Sequence, residues 1–110
     1  MKRLLQIILV LFMCIAPVFS ANLSQIELQS TSIEYDSYFD DICATGFIVN
    51  NSNETVNLIV KINLYDDKGQ FTETYTCSVD KLEPHILWRF VSFPIKPQSK
   101  TMKVVSIQLK

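Results

Sequence analysis

The sequence predicts an all-β fold, an immunoglobulin-like antiparallel β-sandwich of six to seven strands behind an N-terminal leader. Three observations predict it. Apolar residues recur with a period of two rather than 3.6, turn residues punctuate the chain at short intervals, and no repeat, low-complexity tract or Pro/Gly/Ser-rich linker divides it.

Residues 1–20 carry the three parts of a secretory signal. Lys2 and Arg3 precede an apolar stretch over 4–16, and small residues close it. Cleavage after Ser20 puts Val18 and Ser20 at the positions that must be small or unhindered, whereas a cut after Ala21 would put Phe19 there. Gln6 and Pro17 interrupt the stretch, which falls short of the ~20 apolar residues a membrane span needs. No span is therefore expected after cleavage, and residues 21–110 form one domain. That domain keeps eight Lys and Arg against eleven Asp and Glu, a net charge of −3. Such a balance excludes a strongly basic nucleic-acid binder. All eleven acids lie before residue 84, while the rest of the chain carries Arg89, Lys96, Lys100, Lys103 and Lys110 with no acid.

Strands are predicted at 23–30, 42–50, 56–64, 70–79, 85–93 and 102–109. The third is read from Val56, Leu58, Val60, Ile62 and Leu64, which alternate with Asn57, Lys61 and Asn63. In the fourth, Phe71, Tyr75, Cys77 and Val79 share one face, with Thr72, Thr74, Thr76 and Ser78 on the other. Asp66, Asp67, Lys68 and Gly69 between them supply turn initiation and a positive φ, so these two strands pair as a hairpin. The fifth strand is apolar on both faces, Trp88 and Phe90 on one, Leu87, Val91 and Phe93 on the other. That pattern predicts a buried central strand or, with one face left open, a partner-binding patch.

Two stretches resemble the FxLYD domain family. Gly46, Ile48 and Asn50, followed by Asn51 and Ser52, fit its glycine, apolar, asparagine pattern; Ile62, Leu64, Tyr65 and Asp66 with Gly69 fit its hairpin signature. Ile62 stands where the family usually has Phe, and His85 where a glycine usually follows the proline of a Leu82, Pro84 turn. The similarity covers residues 42–93. It implies an immunoglobulin-like sandwich of bacterial exported proteins and no shared enzymatic activity.

Cys43 and Cys77 are the only cysteines beyond the leader, and in an oxidising compartment they are expected to form a disulfide closing a loop of about 34 residues, worth roughly 3–4 kcal/mol. His85 is the only histidine, so no zinc site, Ser-His-Asp triad or cofactor site is assembled by residue type. Three Asn-X-Ser/Thr sequons, at Asn22, Asn50 and Asn53, would matter only on a eukaryotic secretory route.

The segment that draws attention is Tyr35, Asp36, Ser37, Tyr38, Phe39, Asp40 and Asp41, three aromatics among three acids in an expected loop. Aromatic side chains anchor binding surfaces, so Tyr35, Tyr38, Phe39, Asp40 and Asp41 are the candidate partner-binding residues; the alternative has Tyr35 and Phe39 folding back to plug the open end of the sandwich. An extended segment would point Tyr38 opposite to Tyr35. The function expected is that of a periplasmic or secreted non-catalytic binding or structural module, its partner another envelope or secreted protein; the basic end is expected to protect an edge strand by charge, to face an anionic envelope polymer, or to support weak self-association through another copy's acidic surface. The rival is a small secreted hydrolase or inhibitor-like factor using the acidic loop.

Overall fold

A computed structural model describes residues 22–110; the leader and its cleavage site lie outside the described residues. After a single 3-10 turn, Leu23–Gln25, six strands follow: β1 Ile26–Asp36, β2 Asp41–Asn50, β3 Val56–Tyr65, β4 Phe71–Leu82, β5 Leu87–Pro94 and β6 Thr101–Leu109. They form two three-stranded antiparallel sheets, ordered β1-β2-β5 and β4-β3-β6. The sheets stack with β4 beside β5 on one side and β1 beside β6 on the other. This is the predicted sandwich.

The core follows from the alternation. Leu58, Val60, Ile62 and Leu64 of the central strand β3 are wholly buried and meet Ala44, Ile48 and Phe90 from the opposite sheet. Burying a side chain of this size is worth about 1.5–3 kcal/mol, so β3 is the strongest single contributor to the core. Ile62 lies among the wholly buried side chains of that core. Gly46 has a different reason to be there. A Cβ at that position would stand 2.3 Å from the Phe90 ring and 2.8 Å from the Ser30 carbonyl, so only glycine lets the buried ring lie across β2.

Asn50 is buried completely and uses its whole amide. Its Nδ2 donates to the carbonyls of Glu54 (2.7 Å) and Leu82 (3.0 Å), and its Oδ1 accepts from the Ser52 N–H (2.9 Å) and hydroxyl (2.6 Å). One side chain therefore shapes the β2–β3 connection and ties it to the end of β4 in the other sheet. The Asn50 sequon is thereby closed to any enzyme in the folded chain.

Three expectations are corrected. The bridge between Cys43 and Cys77 is absent and both thiols are free. Cys77 belongs to the core between the sheets, and its Sγ donates to the Val91 carbonyl (3.5 Å). Cys43, next to core-facing Ala44, is turned by the two-residue period to the opposite side of its sheet, among the charges of Asp36, Asp41 and Arg89. The thiols lie on different sides of a sheet, and burial raises the pKa of each. Secondly, β5 is an edge strand: Phe90 is buried, but Leu87 and Phe93 stand open. Thirdly, the expected loop is shorter than the segment 35–41. Tyr35 and Asp36 end β1, Asp41 begins β2, and only residues 37–40 form a turn.

Candidate functional site

The β1–β2 turn is shaped by Asp36. Its Oδ2 accepts the N–H groups of Tyr38 (3.1 Å) and Phe39 (3.2 Å), and its backbone carbonyl accepts that of Asp40 (2.8 Å). This is the local capping that makes aspartate a turn initiator. Asp40 then takes φ +54°, a left-handed conformation that aspartate tolerates better than most residues. Asp36 is itself buried and needs a counter-ion. Arg89, two strands away on β5, supplies it: Nη1 lies 3.0 Å from Asp36 Oδ1 and Nη2 3.1 Å from Glu34 Oε2. The Arg89 guanidinium holds both carboxyls below their ordinary values, and Thr45 donates to Glu34 as well.

On this base the turn presents aromatic rings. Tyr38 is 87% exposed. Its ring meets Phe39 edge-on with centroids 5.0 Å apart; Phe39 meets Phe93 of β5 at 5.6 Å, and Phe93 meets Tyr75 of β4 at 6.4 Å. Phe93 is 65% exposed. The chain of rings thus runs from the tip of one sheet to the edge of the other. T-shaped pairs of this kind contribute about 0.5–1.5 kcal/mol each beyond burial. Tyr75 anchors the far end by donating to Glu73 (2.8 Å) and the Pro94 carbonyl (3.0 Å); burial, then Glu73, pushes its phenol up to about 12.

Glu73 also organises the connection between β5 and β6. Its Oε2 accepts from the Lys96 N–H (2.8 Å) and the Ser99 hydroxyl (2.6 Å). Burial opposes its ionisation, yet the hydrogen bonds from Ser99, Lys96 and Tyr75 win and hold its carboxyl below the usual range. Beside this connection lies a groove of about 380 Å³, lined by Ile33, Asp41, Ile42 and Ile95 with Lys96 and Lys100 at its rim.

The structure therefore groups the sequence-predicted residues unequally. Tyr38 and Phe39 belong to the aromatic surface. Tyr35 lies back along β1, its hydroxyl donating to Asp40; that bond, more than burial, raises its pKa. Asp41 accepts the N–H of its neighbour Ile42 and faces the groove. Asp40 and Asp41 are each committed to a local partner. Arg89, Phe93 and Glu73 complete the site, and only the two-sided apolar pattern of β5 hinted at Phe93. Comparison with family models, curated proteins and solved structures gives no match to this chain.

Proposed function

We propose that this domain is an exported, non-catalytic binding module that acts by protein contact at the cell envelope, with the β1–β2 tip as its contact surface. The observation that carries the reading is the Tyr38, Phe39 and Phe93 cluster. Two large rings are left open to water while the turn beneath them is fixed by a buried aspartate and its arginine. Rigid, exposed aromatic side chains on a braced turn are what a binding hot spot requires.

The exported compartment rests on the leader pattern of residues 1–20, and the FxLYD-like identity on the motif residues. Their physical roles support that likeness. Gly46 admits Phe90, Asn50 ties two turns, and Asp66 accepts the N–H groups of Lys68 and Gln70 (both 2.9 Å) ahead of Gly69 at φ +80°. His85, where the family usually has glycine, takes φ +65°, the region that favours glycine.

A photo-crosslinking residue at position 38, compared with one at Lys68 on the other hairpin tip, tests the proposal in envelope preparations of the source cell. A discrete adduct from position 38 and none from position 68 is expected. Equal labelling from both, or turnover of ester, peptide or glycan substrates that disappears on changing Asp40 or Asp41, would overturn it.

A further inference from the structure

The two open sheet edges on one side of the sandwich differ in charge and run in opposite directions. β1 pairs only with β2, and β6 only with β3. β1 carries Glu27, Glu34 and Asp36 with no base, while β6 and the connection before it carry Lys96, Lys100 and Lys103 with no acid. Arg89 already neutralises Glu34 and Asp36 in part, but none of these three lysines forms an ion pair among the described residues. β1 runs toward the aromatic tip. β6 runs away from it, starting where the Lys100 N–H donates to the end of β3.

The core is also unfinished on this side. The inward residues of β3 are wholly buried, whereas Met102, Val104 and Ile107 of β6 and Ile33 of β1 are only half-buried against it. Leu28 on β1 and Val105 and Leu109 on β6 stand exposed along the same side. By contrast, on the β4 and β5 side, whose outer edges are also unpaired, the gap between the sheets is bridged by the Tyr75 and Cys77 bonds to the β5 backbone. An open edge with unused backbone groups is a template for another strand.

We propose that a second copy of this chain fills that side, forming a two-fold dimer in which β1 of each copy pairs with β6 of the other. A two-fold axis parallel to the strands, beside the open edges, brings the first sheet of one copy level with the second sheet of its partner. The strands that meet are then antiparallel. Both contacts form at once, so the interface is self-complementary and closed rather than fibre-forming. Acid meets base at both seams, which favours β1 against β6 over β6 against β6. This surface shares Glu34 and Asp36 with the base of the aromatic tip, but the rings run from there toward β5 and β4, so the dimer would present two tips.

Sedimentation velocity on the purified protein tests the proposal with two charge-reversed variants at exposed positions, K100E/K103E on β6 and E27K/T31K on β1. The wild type should reach twice the monomer mass with rising concentration, more readily in low salt. Each variant alone should dissociate about tenfold more easily, because like charges face each other at both seams. Unchanged far-ultraviolet circular dichroism and a cooperative melting transition show that the variants fold. A wild type that stays monomeric at all concentrations overturns the proposal. So does a dimer indifferent to both variants. A monomer that binds an added acidic, alternating apolar peptide at β6 would assign the edge to a different occupant and equally refute the second copy.

Discussion

At the end of the sandwich holding the 51–55 and 83–86 connections, one buried amide does the tying: Asn50 has partners for both of its donors and both of its acceptor positions. At the opposite end, Asp36 shapes a turn of similar length with the same kind of local bonds, but it is braced by a cation from two strands away and its turn ends in open aromatic rings. The difference separates two uses of a polar side chain. The first end spends its hydrogen bonds on joining the sheets. The second spends them on fixing the turn that carries the exposed rings.

Removing Asn50 should have the largest effect. Asn50→Ala leaves the Leu82 and Glu54 carbonyls and the Ser52 donors without their partner, and we expect a loss of about 3 kcal/mol. In a domain of this size that lowers the melting temperature by more than 10 °C, at roughly 4–8 °C per kcal/mol, measurable by calorimetry. If the loss is under about 1 kcal/mol, the joining role given to this end is wrong.

The other end should answer to pH. The pKa values of Asp36 and Glu34 are lowered by Arg89 from ordinary values of 3.8 and 4.5. Their contribution is therefore complete above those values and is lost as pH falls through the depressed folded-state values. Arg89→Met should lower the melting temperature at pH 7 and flatten its fall between pH 5 and about pH 2. Parallel wild-type and variant curves over that range would mean the brace contributes no linked stability.

A smaller effect of opposite sign is expected at His85. Glycine there removes the cost of a left-handed side-chain-bearing residue, about 1–2 kcal/mol, against its own entropic cost of about 0.5–1 kcal/mol. His85→Gly should thus stabilise by about 0.5–1 kcal/mol in urea unfolding. A destabilised variant would show that His85 makes contacts beyond its backbone bond to the Asn50 carbonyl.

The six strands were legible because alternation and turn residues agree. β3 lies where Val56 to Leu64 place it, and Asp66 with Gly69 makes its hairpin. β1 was read too short because its C-terminal half is an exposed edge, where Thr31, Ser32, Glu34 and Tyr35 show no alternation to read. The cysteines misled because equal burial does not imply the same side of a sheet. Tyr38 and Phe39 could be picked out by composition. The groups that make them a surface, Arg89 at 53 residues from Asp36 and Phe93 on another strand, come together only through the β2–β5 pairing.

Tyr38→Ala tests the central claim most directly, because the claim assigns that ring to contact and not to the core. Capture of the partner identified by crosslinking at position 38 and the melting temperature should be measured on the same preparation. The account predicts lost capture with stability unchanged within about 0.5 kcal/mol. A fall of several degrees, or undiminished capture, would contradict it and return the aromatic tip to packing.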